Sequence, residues 1–194
     1  MSIYELAIPG TIFNETDLHV VQVNGVWQLA PGQNESDAYT NDPDDPGGPT
    51  KWGQSQRQLQ IDTGQLWSAA EIQALSVDWV IQRWKPLYWF PIYEAIESQN
   101  VASKVFDIGI IAGPARAIMI LQAALWASGH TIEIDGSFGP ITLEAANSQE
   151  PQSLIDTISI RQADYFRGIN NPAELHDWLV RAQYLATSGT IKGV

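Results

Sequence analysis

The stretch VFDIGIIAGPARAIMILQAALWA, residues 105–127, constrains the fold more than any other part of the sequence. It is long enough for a membrane helix, but Asp107, Arg116 and Gln122 interrupt its apolar character. Gly113-Pro114 also divides it, because proline lacks an amide hydrogen and suits the first position of a helix rather than its interior. The stretch therefore predicts two helices buried in the core of a globular protein.

The composition agrees with a globular chain. Hydrophobic residues make up 44% of the 194 residues, which is enough for one domain or two interlocked subdomains. The formal net charge is −12, and residues 1–66 hold nine acidic side chains against Lys51 and Arg57. Nucleic acid needs a basic surface, so nucleic-acid binding is not expected, and neither is an electrostatic attachment to an anionic membrane.

The N-terminal sequence bears on where the protein is made, whereas the absence of cysteine does not decide the compartment. There is no cysteine, so no disulfide and no thiol chemistry are expected. The opening MSIYELAIPG lacks the basic and long apolar regions of a signal peptide. We expect a protein that is made in the cytoplasm without a signal peptide.

Helical periodicity dominates from Trp67 onward. Ser68 and Glu71 have the spacing of a capping box, and the helix that they begin is predicted to stop at Pro86. Further helices are predicted over 88–98, 101–111, 114–128, from Pro140, over 153–168 and over 172–187, with Gly189 as the final stop.

The first third of the chain is less regular. A short helix is predicted over residues 12–23 and a strand over 25–30, followed by a loop or short hairpin rich in acidic residues. The sequence as a whole predicts a mainly α fold, a helical bundle with a small β-hairpin or loop element that carries the acidic motif.

That acidic element is NESDAYTNDPDDPGGPTKWG, residues 34–53. Two of its carboxyl groups, on Glu35 and Asp45, lie on either side of turn-forming sequence and could face one cleft. One could donate a proton to a leaving oxygen while the other stays ionised and orients water or stabilises a cationic sugar ring.

Two other interpretations of this element remain open. Asp and Asn before Pro or Gly commonly form turns, so the element could be a solvated loop. Asp42 and Asp44 have the spacing that opens a calcium loop, but Gly53 stands where the closing glutamate belongs. His19, His130 and His176 stand singly, and we expect no metal and no cofactor.

The element closely resembles a family motif, E…Y-x-N-D-P-x-D-P-G-G-x-T-x-x-G. It reads here as Glu35, Tyr39, Asn41, Asp42, Pro43, Asp45, Pro46, Gly47, Gly48, Thr50 and Gly53. Downstream, YW at 88–89, FDIGIIAGPARAIMILQAAL, DGSFGPIT, RQADYF and DWLVRA continue the likeness to about residue 187. Together these resemble the phage-type N-acetylmuramidases of glycoside hydrolase family 108, with a C-terminal peptidoglycan-binding-like part.

The resemblance implies a lysozyme-like, α-rich fold and hydrolysis of the β-1,4 bond between N-acetylmuramic acid and N-acetylglucosamine in peptidoglycan. The catalytic residues that it implies are Glu35 as the acid, Asp45 as the second carboxylate and Thr50 as a water-orienting hydroxyl. The expected substrate-binding residues are Tyr39, Asn41, Trp52, Trp89 and Asp107, and Trp84 and Trp126 are further candidates for stacking on sugar rings.

The resemblance also suggests an organisation and a setting. Residues 1–100 would form the catalytic part, with the acidic loop at 34–53, and residues 101–194 the helical wall-binding part, packed as one compact unit. We expect a monomer, most simply a phage or prophage endolysin that reaches the cell wall or periplasm through a holin lesion or a secretion system.

The catalytic motif departs from the family pattern in one respect. The family has E-G-G-Y, whereas this chain has E-S-D-A-Y, so an ungapped alignment would place Ser36 at the catalytic position. The family asparagine after the central aspartate is Ile111 here. Two alternatives to a muramidase follow: a catalytically degenerate wall-binding or phage-particle protein, and a lytic transglycosylase working with a single glutamate.

Overall fold

The computed structural model describes residues 1–169 and 171–183. The helices are α1 (Tyr4–Thr16), α2 (Gln56–Thr63), α3 (Ala69–Gln73), α4 (Val77–Tyr88), α5 (Gln99–Ala112), α6 (Pro114–Ala127), α7 (Pro140–Asn147), α8 (Pro151–Gly168) and α9 (Leu175–Gln183). The strands are β1 (Val20–Val23), β2 (Val26–Leu29), β3 (Tyr39–Thr40), β4 (Thr50–Lys51) and β5 (Gln54–Ser55). The mainly α class with a small antiparallel β element is confirmed.

The chain forms two compact units. The loop unit consists of residues 11–85, and the helical unit consists of residues 1–10 together with the chain from residue 86 onward. The sequence suggested a different division, with a catalytic part before residue 101 and a wall-binding part after it. That division is one of function rather than of compactness, and it stays a prediction.

The loop unit contains both sheets. β1 and β2 pair antiparallel around Asn24 and Gly25, whose positive φ angles of 51° and 83° fit a two-residue hairpin turn. β3, β4 and β5 form a three-stranded antiparallel sheet in that order. The core of the loop unit contains the fully buried side chains of Trp52, Leu59 and Ile72. Leu59 belongs to α2 and Ile72 to α3, so these side chains hold the small sheet against those two helices.

The helical unit is built around the predicted pair of helices. α5 and α6 meet at Gly113, where φ is +85°, and Pro114 opens α6. α5 packs on α6 and α8, and α8 packs on α9. Ala102, Phe106 and Leu121 are fully buried in these helices, so the buried helix pair is confirmed. Within the described ranges, none of the helices is long and apolar enough to cross a membrane.

Several local predictions are confirmed. Ser68 and Glu71 make both hydrogen bonds of the capping box at α3. α7 begins at Pro140. The strand predicted over 25–30 is β2. α9 falls within the helix predicted over 172–187, although residues 172–174 form a turn, and residues 184–187 and Gly189 lie outside the described residues.

Other predictions were wrong. The helix predicted over 12–23 is displaced: α1 ends at Thr16 and residues 20–23 form β1, because Leu18 and Val20 are buried on an extended segment. Pro86 lies inside α4 and the helix ends at Tyr88, since only the last turn has to accommodate the proline ring. Of the 88–98 segment, Tyr88 is the last residue of α4, and residues 91–95 form a 3-10 turn rather than a separate α-helix.

Candidate active site

The acidic element folds into consecutive turns that use its own carboxylates. The Asn34 side chain accepts a hydrogen bond from the Ser36 amide at 3.2 Å and caps a 3-10 turn over residues 35–38. Further on, the Asp42 carboxylate accepts from the Asp44 amide at 2.9 Å, and the Asp45 carboxylate accepts from the Gly47 amide at 2.7 Å. Two of the five carboxylates therefore stabilise turns, as the solvated-loop interpretation expects.

The turn between β4 and β5 has an unusual backbone. Its two central residues, Trp52 and Gly53, have φ angles of +54° and +73°, which correspond to the tight hairpin turn that favours Asn and Gly. A Cβ atom on Gly53 would lie 2.7 Å from a carboxylate oxygen of Glu15, so any other residue there would have to displace that side chain as well as adopt a positive φ. The indole of Trp52 is fully buried and donates to the Leu75 carbonyl at 3.0 Å, which holds the strained turn in place.

This turn places Lys51 beside Glu35. The ammonium nitrogen Nζ of Lys51 lies 2.8 Å from Oε1 of Glu35 and donates to the Gln73 carbonyl at 2.7 Å. The lysine side chain is 6% exposed, whereas the glutamate side chain is 55% exposed. The pair therefore joins a buried cation to a carboxylate that solvent and ligands can reach.

An open groove of about 380 Å³ surrounds this pair. It is lined by Glu35, Ser36, Tyr39, Lys51, Gln73 and Ala74. Of the predicted site residues in the described chain, the groove brings together Glu35 and Tyr39. Asp45, Thr50 and Asn41 do not line it: Asp45 and Asn41 are exposed on the loop between β3 and β4, and the Thr50 hydroxyl donates to the Gly48 carbonyl at 3.2 Å.

Three predicted substrate-binding side chains occupy positions that differ from the expectation. Trp52 is fully buried, Trp89 is packed edge to face among Tyr4, Tyr93 and Phe106, and Asp107 is 1% exposed. Burial of large aromatic surface stabilises the folded state, and in this structure it leaves no ring face of Trp52 or Trp89 for a sugar. Of the two further candidates for stacking, Trp84 is fully buried and Trp126 is 62% exposed.

Asp107 belongs to a charged cluster inside the helical unit. Arg181 donates to both of its carboxylate oxygens, at 2.9 and 3.2 Å, and so joins α5 to α9. Lys104, one turn earlier on α5, donates to the Ala182 carbonyl at 2.7 Å. Burial lowers the pKa of Lys104 to about 8, opposed by the nearby Asp107 charge and assisted by Arg181. Through these contacts Asp107 holds α5 and α9 together.

A second, smaller groove of about 190 Å³ lies in the helical unit at the DGSFGP segment. Gln122 organises it, because its amide nitrogen donates to the Asp135 carboxylate at 2.8 Å while its oxygen accepts from the Gly136 amide at 2.9 Å. The hydrogen bond from Gln122 and that from the Ser137 amide lower the pKa of Asp135. The apparent interruption of the apolar stretch by Gln122 thus has a structural cause.

Two segments of the chain match known protein families. Residues 33–113 match the family model described as glycosyl hydrolase 108, and residues 116–186 match the model described as a predicted peptidoglycan domain. The chain is a glycosyl hydrolase 108-type protein in the sense that its residues 33–113 match this family. The resemblance inferred from the motifs is confirmed, and the first matched range contains the groove with Glu35.

A solved structure also resembles this glycosyl hydrolase 108-type protein. The structure of SagA from Brucella abortus has a sequence 24% identical to this chain. The match covers 79% of this chain and 88% of the SagA chain, with a TM-score of 0.61. This likeness concerns the fold, and the mainly α, lysozyme-like class is confirmed. No curated protein matches the chain.

The two family matches also fix the coarse activity. A glycoside hydrolase segment and a peptidoglycan segment occur in one chain, so the glycosyl hydrolase 108-type protein is a peptidoglycan hydrolase and its substrate is peptidoglycan.

The sequence did not point to three lining residues, Lys51, Gln73 and Ala74. Lys51 is the single basic residue of the stretch 34–53, which was a usable signal, because a lone cation among five carboxylates is expected to pair with one of them. Gln73 contributes its backbone carbonyl, and no side-chain pattern could have identified it.

Proposed function

We propose that this glycosyl hydrolase 108-type protein is an N-acetylmuramidase that cleaves the β-1,4 bond between N-acetylmuramic acid and N-acetylglucosamine. One observation carries the proposal: the carboxyl group of Glu35 projects, half exposed, into the groove while Lys51 holds one of its oxygens at 2.8 Å. A fixed yet accessible carboxyl is what proton delivery to a glycosidic oxygen requires.

In this proposal Glu35 donates a proton to the leaving oxygen as the bond breaks. Asp45, on the loop outside the lining of the groove, is the proposed second carboxylate. Its role requires the bound glycan to extend to this loop, where the carboxylate would stabilise the positive charge on the sugar ring or orient the attacking water. Its Oδ1 atom is held by the Gly47 amide, so the turn limits where the carboxylate points. Thr50 remains the candidate for positioning the water.

Tyr39 and Asn41 are the substrate-binding candidates that keep accessible surface. Tyr39 lines the groove next to Glu35, and Asn41 is exposed on the loop that follows it. A tyrosine ring offers an apolar face for a sugar and an amide offers hydrogen bonds to acetamido groups. Both are proposed to orient the glycan rather than take part in proton transfer.

The proposal is tested by incubating purified protein with peptidoglycan and measuring new reducing ends. Glu35→Gln should reduce their formation by about 10²–10⁴-fold, the usual contribution of general acid catalysis. Asp37→Asn is the matched control, because it removes a neighbouring exposed carboxylate that does not line the groove, and it should keep most of the activity. An unchanged rate for Glu35→Gln rules out the assignment.

A second candidate activity is that of a lytic transglycosylase. It is favoured by the composition of the groove, in which Glu35 is the one carboxylate among the described lining residues. A transglycosylase product ends in an anhydro sugar rather than a reducing end, so mass spectrometry of released muropeptides distinguishes the two reactions. Release of neither product from wall that the protein binds would indicate a catalytically degenerate binding protein.

The setting of the reaction is part of the proposal and rests on the sequence resemblance. We propose a monomeric phage or prophage endolysin, made in the host cytoplasm, that reaches the wall through a holin lesion or a secretion system. Co-expression with and without a holin, followed by measurement of lysis, tests the delivery route. Sedimentation of the purified protein tests the monomer.

A further inference from the structure

We propose that Lys51 is a positioning residue for Glu35: by donating to Oε1 it reserves Oε2 as the oxygen that delivers the proton. The inference rests on the proposed function of Glu35 as the acid. It adds a residue whose contribution comes through the carboxyl group that it holds.

The contacts of Lys51 suit this role. Its ammonium donates to Oε1 of Glu35 at 2.8 Å and to the Gln73 carbonyl at 2.7 Å, and it lies 5.7 Å from the centre of the Trp52 ring. A buried ammonium is stable only when its donors are satisfied. With two oxygen acceptors and an aromatic ring around it, the ammonium is fixed at the wall of the groove.

The backbone around Lys51 is equally constrained. Lys51 is directly followed by the two positive-φ residues of the β4–β5 turn. Lys51 donates to the carbonyl of Gln73, the last residue of α3, and Trp52 donates to that of Leu75, two residues further on. Two adjacent side chains are thus tied to one short segment, and this double attachment compensates for the strain of a tryptophan at positive φ. A strained turn of this kind is expected where a function depends on it, and here the turn places Lys51 beside Glu35.

The hydrogen bond from Lys51 to Oε1 determines which oxygen of a protonated Glu35 can carry the proton. A neutral carboxyl has one carbonyl oxygen, which accepts hydrogen bonds, and one hydroxyl, which donates. When Glu35 takes up a proton from solvent while Oε1 accepts from the Lys51 ammonium, Oε2 is the oxygen that carries it. The O–H bond of Glu35 breaks at Oε2, the proton passes to the glycosidic oxygen, and Glu35 is left as a carboxylate that Lys51 continues to hold.

This arrangement affects the chemical step more than substrate binding. Misplacing a reacting group by about 1 Å is enough to cost on the order of 10²-fold in rate. Lys51→Ala should therefore lower kcat on soluble peptidoglycan fragments by about 10–10²-fold, with KM changed less than about twofold. Arg57→Ala is the matched control: it removes an exposed cation of the same unit and should leave both parameters near wild type.

Chemical rescue separates positioning from a structural role. Propylammonium added to Lys51→Ala should restore kcat in a concentration-dependent manner, because it supplies a positive charge with N–H donors. Tetramethylammonium carries the same charge without a donor and should restore nothing. Circular dichroism of Lys51→Ala should match that of the wild type, and Lys51→Arg provides a second donor variant, expected to be more active than Lys51→Ala.

The outcomes distinguish this inference from the proposed function. If Glu35→Gln abolishes cleavage while Lys51→Ala retains the wild-type kcat, the positioning role is overturned and the acid assignment stands. Equal rescue by the two ammonium ions overturns hydrogen-bond donation by Lys51. If Glu35→Gln itself cleaves normally, the proposed function fails, and the inference fails with it.

Discussion

Two buried lysines make an instructive comparison. Lys51 in the loop unit and Lys104 in the helical unit are both almost inaccessible, and each donates to a backbone carbonyl. The carboxylate partner of Lys51 is 55% exposed in a groove. The carboxylate near Lys104, on Asp107, is 2% exposed and shared with Arg181. We propose that the buried cation beside the open carboxylate serves catalysis, whereas the one inside the closed cluster lies where Arg181 and Asp107 join α5 to α9.

The largest expected effect concerns the closed cluster. Asp107→Ala breaks a largely buried ion pair, in which Arg181 donates to both carboxylate oxygens, and this should cost about 3–5 kcal/mol of unfolding free energy. Urea denaturation measures this loss. The control is Asp164→Asn, since Asp164 is half exposed and pairs with Arg161 and Arg167 at the surface; it should cost at most about 1 kcal/mol. Equal losses in the two variants would remove the distinction between the two regions.

The next effect is a pH dependence of stability from Lys104. Its pKa is about 8 in the folded protein, below the ordinary value of about 10.4 that the unfolded chain should show. Between these values the unfolded state binds more protons, so stability should rise with pH from about 8 to about 10, by on the order of 2 kcal/mol.

Above that window the buried tyrosines act in the opposite direction. Burial raises the pKa of Tyr4 and of Tyr93, so the unfolded state loses protons first and stability should fall above about pH 10. Lys104→Met should flatten the rise and keep the fall. A wild-type unfolding free energy that declines steadily from pH 8 would contradict the burial of a charged lysine.

A third prediction concerns the turn that holds Lys51. Gly53→Ala forces an alanine to φ near +73° and brings its Cβ toward the Glu15 carboxylate, so it should cost about 2 kcal/mol and also lower the reaction rate. Gly64→Ala is the control, because Gly64 has φ of +70° but open space around it; it should cost about 1 kcal/mol without affecting the rate. Similar reaction rates for the two variants would show that the β4–β5 turn does not contribute to the activity of the site.

The smallest expected effect is that of salt. With a net charge of −12, the protein gains no electrostatic attraction to an anionic wall, and short-range contacts in the groove must hold the substrate. Activity measured from about 0.05 to about 0.2 M salt should change less than about twofold. A steep loss over this range would mean that a basic surface, rather than the groove, captures the wall.

The sequence predicted the helical unit better than the loop unit, for physical reasons. The α5–α6 pair follows from a local signal, a glycine and a proline within an apolar stretch. α1 was missed because Pro9-Gly10 normally breaks a helix, whereas burial of Ala7, Ile8 and Ile12 outweighs that preference here.

The groove was only partly predictable. The position of Glu35 in a motif identified it, but its contact with Lys51 depends on a β turn with tryptophan at positive φ, which no propensity favours. The burial of Trp52 and Trp89 was also hidden, since a tryptophan suits a core and a sugar-binding surface equally well in sequence. Contacts between residues far apart in sequence depend on packing, and the spacing of residue types along the chain does not predict them.

The central claim is that the open carboxylate of the loop unit performs chemistry. The most direct measurement takes the rate of peptidoglycan cleavage and the unfolding free energy of Glu35→Gln together. A glutamine at this position can still accept a hydrogen bond from Lys51, so we expect the stability to change by less than about 1 kcal/mol while the rate falls by about 10²–10⁴-fold. Wild-type cleavage by a fully folded Glu35→Gln protein would contradict the account.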